Sequence, residues 1–181
     1  MERCSHALVA DGRVWLIDAL DREGLDDRLH AAGAPAGVIQ LLDRHNRDCA
    51  ALALRLGVPY HFVPRARIGP FEFIPIKTGR FWQEVALWWT EHRVLAFADA
   101  LGTSAYFRAG QERLAVHPAL RLLPPRKQLA GIDPATVLCG HGVGIFEDAG
   151  AALREALSTS RRRTLGQVAS AVRAWRVSRS S

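Results

Sequence analysis

The chain has 181 residues, about the length of one domain. Apolar residues make up 49% of it and charged residues 23%, which favours a folded core and excludes a disordered chain. Three widely spaced cysteines exclude a disulfide framework and a CxxC zinc knuckle. No apolar run approaches the ~18 residues that span a bilayer, and the first residues lack the apolar core of a signal peptide. We therefore expect a cytoplasmic protein without a membrane span.

The net charge of +6 is concentrated at the C-terminal end. Every acidic residue lies at or before Glu155, so residues 1–157 are neutral and all the excess arginines fall in residues 158–181. We expect residues 1–157 to form the domain and residues 158–181 to be a basic helix or tail, either part of the same domain or partly mobile. Such a tail could bind nucleic acid or acidic lipid, but docking of its apolar face on the body is the more frequent role.

The first third of the sequence alternates strands and helices. HALVA and VWLID are short apolar runs joined by Asp11-Gly12, which predicts a β-hairpin. A polar helix is predicted over about 22–32, closed by Gly33. The apolar run 37–42 predicts a buried strand, after which come the polar loop DRHNRDC and the helix AALALRL.

The rest of the chain begins with strands and ends with helices. GVPYHFV, FEFIPI, EVALWW and RVLAFAD predict strands, and ATVLCG (135–140) predicts one more before the loop HGVGIF. Helices are predicted over about 148–157 and again after a capping box at Thr164 and Gln167. On the last helix, one face would carry Leu165, Val168, Val172 and Trp175.

Polar side chains follow four of the predicted strands at the point where each strand ends. They occur at 43–49, at 77–80, at Asp99 and at His141. Because loops at strand ends carry the chemistry of layered α/β folds, these four places predict one convergent pocket.

In this order the segments resemble the metallo-β-lactamase superfamily over about residues 6–157. VWLIDALD is similar to the early strand that ends in an aspartate, and GVIQLLDRHNRDC occupies the place of the Thr-His-x-His-x-Asp-His signature. The segment from Ile76 to Gly102 resembles the Gly-His-Thr segment, its hairpin and the metal-bridging aspartate, and VLCGHG resembles the last metal histidine. The resemblance implies an α/β (α+β) protein with the αββα sandwich, two mixed β-sheets flanked by helices.

Several metal ligands of the superfamily are replaced in this sequence. Arg44, Asn46 and Arg80 stand where the resemblance implies the three histidines of one metal site. The second site would keep Asp48, Asp99 and His141, with Cys49 in place of a histidine. Because arginine is always protonated and cannot ligate a metal, the resemblance implies that the binuclear centre is lost.

We expect a pocket without metal, in which the arginines replace the charge of the cations and pair with Asp48 and Asp99. Such a pocket would bind a small anionic molecule, a carboxylate or a phosphate, through bidentate hydrogen bonds, and the protein would be a non-catalytic or atypical member of the superfamily. The predicted pocket residues are Arg44, His45, Asn46, Asp48, Cys49, Arg80, Asp99 and His141.

Two alternatives remain open at this point. Asp48, Cys49, Asp99 and His141 form a chemically reasonable ligand set for one Zn²⁺, which would make the protein a mono-zinc hydrolase acting on thioesters, lactones or phosphoesters. Nucleic-acid association through the basic tail is a third possibility, although no nucleic-acid motif is present. Structural roles compete with each assignment: Asp48 as a helix N-cap, Cys49 as a small core residue and His45 as a surface residue.

Overall fold

The protein folds as four layers in the order helix, sheet, sheet, helix. The computed structural model describes residues 3–45 and 47–177, with side chains up to Thr164. The elements are β1 (His6–Ala10), β2 (Arg13–Ile17), α1 (Leu25–Ala32), β3 (Ala34–Gln40), α2 (Cys49–Leu56), β4 (Tyr60–Phe62), β5 (Glu72–Gly79), β6 (Trp82–Trp89), β7 (Val94–Phe97), β8 (Leu101–Gly102), β9 (Ala115–Val116), β10 (Thr136–Cys139) and α3 (Ala149–Val177).

The first sheet has the strand order β1-β2-β3-β4. β1 and β2 form an antiparallel hairpin, whose turn residues Asp11 and Gly12 both have positive φ, as a two-residue hairpin turn with the twist of the strands requires. β3 is parallel to both of its neighbours, so the sheet is mixed. α1 and α2 pack on its outer face.

The second sheet has the order β10-β7-β6-β5 and is also mixed. β5, β6 and β7 form an antiparallel meander, and β10 adds to β7 in parallel. The carboxyl ends of β7 and β10 therefore meet at one edge of this sheet. The short ribbon β8–β9 continues from that edge, and α3 packs against β9 and β10.

The alternation of side chains along the first sheet divides the core in two. Trp15, Ile17 and Ile39 point inward and pack against the second sheet in the main core. Val14 and Val38, one residue away, belong to a smaller core under α1 and α2. This two-sided burial explains why the strands read as continuous apolar runs rather than as alternating ones.

The αββα sandwich expected from the sequence is confirmed, and the differences lie at the boundaries. β3 ends at Gln40, two residues before the end of the apolar run. The chain is a single helix over Ala149–Val177, where two helices are predicted, and it crosses the predicted boundary at residue 157 without a break. Thr164 is not an N-cap, because its hydroxyl donates to the carbonyl of Ser160 one turn earlier in the same helix.

The start of the basic C-terminal segment packs on the body. Arg161 donates to the carbonyl of Leu122, and Arg163 pairs with Glu155 at 2.6 Å and lies 3.5 Å from the buried carboxylate of Glu112. The side chains expected on the apolar face of the last helix lie outside the described part of the chain. No helix in the described residues combines the length and apolar character needed to cross a membrane.

Candidate metal centre

Three side chains converge where β3, β7 and β10 end. The Nε2 atom of His45 lies 2.9 Å from the Oδ1 atom of Asp99, and the Nε2 atom of His141 lies 3.1 Å from the same oxygen. Within the described residues, these three form a group whose ligand-type atoms all lie within 4.8 Å of one another. β7 and β10 bring Asp99 and His141 together because they are parallel neighbours, and β3 supplies His45 from the facing sheet.

The ring of His45 is fixed from behind by Asp18. The Nδ1 atom of His45 lies 3.6 Å from Oδ2 of Asp18, while Oδ1 of Asp18 accepts a hydrogen bond from the amide of Leu41. Asp18 is buried directly after β2 and has a φ of 46°, a strained conformation that aspartate tolerates better than most residues. From the other side, the amide of Gln40 donates to the carbonyl of His45.

The loop that carries Asp99 is fixed by Glu84, a fully buried carboxylate near the start of β6. One oxygen of Glu84 accepts from the backbone amides of Asp99 and Ala100 at 2.9 and 2.8 Å, and the other accepts from the indole of Trp82. Burial raises the pKa of Glu84 to about 7, against the effect of these three donors.

His141 lies between two glycines, Gly140 and Gly142, whose backbone packs so closely on neighbouring segments that neither position has room for a side chain. A Cβ on Gly140 would lie 2.4 Å from the carbonyl of Ala98, and one on Gly142 would lie 2.4 Å from the hydroxyl of Thr103. The ring of Phe107 stacks on His141 with a centroid distance of 6.1 Å. The glycines therefore serve the placement of His141 against Asp99, as the sequence indicates.

The charges of the cluster are strongly coupled. Burial by itself would lower the pKa of His45, but the carboxylates of Asp18 and Asp99 raise it to about 9. Burial would raise the pKa of Asp99, but the two histidines hold it well below its usual range. The carboxylate is thus ionised at neutral pH and stabilises cationic partners, whether a protonated imidazole or a metal ion.

Comparison with solved structures establishes the fold. No protein-family model and no curated protein sequence matches the chain. The chain is similar to the DIM-1 metallo-β-lactamase, with a TM-score of 0.58 and 12% identity over 87% of this chain and 84% of that one. The metallo-β-lactamase from Pontibacter korlensis gives 0.59 and 12% over 87% and 86%, and ETHE1 from Myxococcus xanthus gives 0.57 and 14% over 88% and 82%. The chain has the metallo-β-lactamase fold.

In this metallo-β-lactamase fold, the two arginines expected to pair with the site carboxylates contact aromatic rings instead. The guanidinium of Arg44 lies 4.2 Å from the ring centroid of Trp82 and donates to the carbonyl of Phe81. The guanidinium of Arg80 lies 5.7 Å from the ring of Phe81, which is largely exposed. Asp99 pairs with the two histidines of the cluster. The expected pairing of Asp99 with an arginine is therefore not the arrangement observed.

Asp48 and Cys49 do not join Asp99 and His141, in contrast to the ligand set predicted for one zinc. α2 begins at Cys49 and turns this thiol into the small core outside the first sheet, where burial raises its pKa to about 12. Asp48 occupies the N-cap position of α2, yet its carboxylate accepts from the amide of Asp21 rather than capping the helix. His45 is the ligand-type residue that this loop contributes, and Asn46 lies outside the described residues.

Sequence reasoning noted the aspartate at the end of VWLID but assigned no site role to Asp18, Glu84 or Gln40, the residues that support the cluster. Asp18 ends a predicted strand, and Glu84 is an acidic residue within a strand of otherwise apolar type, which is a signal for a buried functional carboxylate. Nothing in the local pattern marks Gln40 as a residue that holds the His45 loop.

A cavity of about 790 Å³ opens between the loops that follow two of the clustered residues. Its walls are Thr103–Tyr106 after β8 and Gly142–Ile145 after β10, and the guanidiniums of Arg108 and Arg113 add positive charge. Arg113 also donates to the carbonyl of Glu147. Clefts at the carboxyl ends of strands are the usual ligand sites of open α/β sheets, and this one is large enough for a small molecule.

Proposed function

We propose that the protein binds one divalent metal ion, Zn²⁺, through His45, Asp99 and His141, and that it hydrolyses a small anionic substrate. The observation that carries the proposal is the convergence of two imidazole Nε2 atoms on one carboxylate oxygen, at 2.9 and 3.1 Å. Three protein ligands with an open fourth position are typical of catalytic zinc.

The donor set fits such an ion. Zinc bonds of roughly 2 Å in a tetrahedron place neighbouring ligand atoms about 3.3 Å apart, close to the two distances from Asp99 to the imidazoles. The Nδ1 atom of His45 and the Oδ2 atom of Asp18 are buried and have no hydrogen-bond partner, although they are 3.6 Å apart. A carboxylate behind a histidine is the usual support of a metal ligand, because it sets the tautomer of the ring.

A bound ion would supply Lewis-acid polarisation of a substrate oxygen and would lower the pKa of water. The protein's own residues would hold the ligands in place: Asp18 orients the ring of His45, and Glu84 fixes the backbone of Asp99. The buried ring of Phe107 stacks on His141 and covers one face of the imidazole. These supports are pre-formed, which a positioned catalytic group requires.

The substrate would be anionic because two arginines line the cavity between the loops that follow Asp99 and His141. Arg108 and Arg113 line the cavity between the loops after β8 and β10, where they can bind a carboxylate or a phosphate. Arg108 and Arg113 would therefore bind the anion in place of Arg44 and Arg80, because both of the latter side chains lie against aromatic rings.

The same cavity favours a second candidate, a non-catalytic protein that binds a small anion without metal. In that case His45 would stay protonated between Asp18 and Asp99, and the arginine-lined cavity would be the whole functional site. Metal content separates the two candidates.

The experiment is zinc analysis after dialysis of the protein against Zn²⁺, followed by removal of free metal. We expect about one Zn²⁺ per chain, lost in His45→Ala and Asp99→Ala and kept in His30→Ala, a matched change on the exposed face of α1. The loaded protein is then tested on thioesters, lactones and phosphoesters, each as a carboxylated and a neutral analogue. Absence of stoichiometric zinc would overturn the hydrolase proposal, and anion-dependent thermal shifts that vanish in Arg108→Ala/Arg113→Ala would then support the second candidate.

A further inference from the structure

A second groove lies on the outer face of the first sheet, away from the candidate metal centre. α1 packs on β2 and β3, and α2 packs on β3 and β4, so within the described residues no helix packs extensively on the edge strand β1. Between β1 and α1 this arrangement opens a cavity of about 450 Å³, which is within the size range of small-molecule sites.

The floor of this groove is aliphatic. Ala7 of β1 faces outward, and the groove continues over the buried side chains of Leu16 and Leu29 to Ala32 at the end of α1. The groove is also lined by the polar side chains of Ser5 and His6, but its floor of methyl and methylene groups suits a straight hydrocarbon chain better than a planar base or sugar.

The rim of the groove is cationic. Arg3, Arg22 and Arg28 line it, and Glu23 is the acidic residue among the lining residues. Within the described part of the chain these three arginines form no ion pair, whereas Arg55 pairs with carboxylates on the same side of the protein. Unpaired guanidiniums beside an aliphatic floor are complementary to an amphiphilic anion, since they bind carboxylates through paired hydrogen bonds.

We propose that this groove binds a medium-chain aliphatic carboxylate, with the carboxylate on the arginines of the rim and the chain along Ala7, Leu16 and Leu29. The site is independent of the proposed metal centre and of the cavity lined by Arg108 and Arg113. Binding there does not require hydrolysis.

Calorimetric titration with decanoate, below its micellar concentration and at neutral pH, tests the proposal. We expect saturable binding of one decanoate per chain, weakened at least tenfold in Arg22→Ala/Arg28→Ala and unchanged in Arg65→Ala/Arg67→Ala, an exposed pair of arginines outside the groove. Butyrate and decanol should each bind at least tenfold more weakly than decanoate, because each lacks one half of the recognised chemistry. Decyl phosphate in place of decanoate distinguishes a carboxylate site from a general anion site.

Two further variants locate the bound molecule. Ala7→Phe places a ring on the floor of the groove without touching the core and should abolish decanoate binding while the thermal midpoint stays near that of the wild type. Arg108→Ala/Arg113→Ala should leave decanoate binding unchanged. The proposal is overturned if decanoate does not saturate, if Ala7→Phe binds it normally, or if the loss follows Arg108 and Arg113 instead.

Discussion

The two halves of the candidate metal centre are built differently. Asp99 and His141 follow parallel neighbouring strands of the second sheet, and their loops are held by buried charges and by glycines that admit no side chain. His45 comes from a looser loop after β3, held by Asp18 and Gln40. A ligand position at the end of a short, tightly packed loop can be predicted from its place in the sequence. In the longer loop a shift of one residue decides which side chain reaches the site.

The half of the centre that carries Asp99 and His141 depends on a buried ion pair that holds the segment carrying Phe107. Arg121 and Glu112 are both fully buried and lie 2.7 Å apart, and Arg121 also donates to the carbonyl of Phe107. We expect Arg121→Ala to lower the free energy of unfolding by about 3–5 kcal/mol, because it removes the nearer guanidinium from the buried carboxylate of Glu112 and leaves only Arg163, at 3.5 Å, to pair with it. Urea denaturation measures this. Arg154→Ala removes an exposed ion pair with Asp133 and should lower the free energy of unfolding by less than about 1 kcal/mol. Equal losses in the two variants would contradict a special role of the buried pair.

Glu84, which holds the Asp99 loop, makes the stability of the folded protein depend on pH. Its pKa is about 7 in the folded protein, against 4.5 for an ordinary glutamate side chain, so the folded state binds the proton more tightly. The contribution of protonated Glu84 to the free energy of unfolding is fully present below pH 4.5 and is lost as the pH rises through 7. Relative to Glu84→Gln, the wild type should lose roughly 3 kcal/mol of unfolding free energy between these limits. Denaturation at several pH values checks this, and parallel curves for the two proteins would show that Glu84 is not the titrating group.

The half of the centre that carries His45 is tested by removing the charge behind this histidine. Asp18→Asn keeps an oxygen that can accept from the amide of Leu41 but loses the carboxylate next to Nδ1 of His45. We expect zinc affinity to fall by about 10- to 100-fold, as for other residues that support metal ligands. Competition with a chromophoric chelator measures the affinity. Asp48→Asn is the matched control, and a similar loss in that variant would return Asp48 to the ligand set.

The smallest effect on stability and zinc affinity is expected for a substitution of Arg44, which lies outside the cluster. Arg44→Ala removes a cation–π contact with Trp82, which contributes about 0.5–1 kcal/mol at an exposed site. Zinc affinity should change by less than about twofold, because the guanidinium is directed toward the aromatic ring and the carbonyl of Phe81. The same chelator assay applies. A gain of tenfold or more would mean that the positive charge of Arg44 opposes the metal.

Much of the fold could be predicted because its signals are local. Asp11-Gly12 specifies the first hairpin, and the apolar runs after it specify strands buried on both faces. The single helix over Ala149–Val177 could not be predicted from the capping box at Thr164, because a hydroxyl that caps a helix start can equally donate to the preceding turn inside a helix.

The sequence by itself determined the order of layers and the strand ends at which polar residues gather, since hydrophobic periodicity and turn residues act over a few positions. It also marked Asp99 and His141, which directly follow their strands. Only the tertiary structure decided that His45, rather than Cys49, meets them, and that Arg44 lies on Trp82. The reason is physical: the register at which α2 begins turns Cys49 into the outer core, and the carboxylate of Asp18, distant in sequence, holds His45 in place.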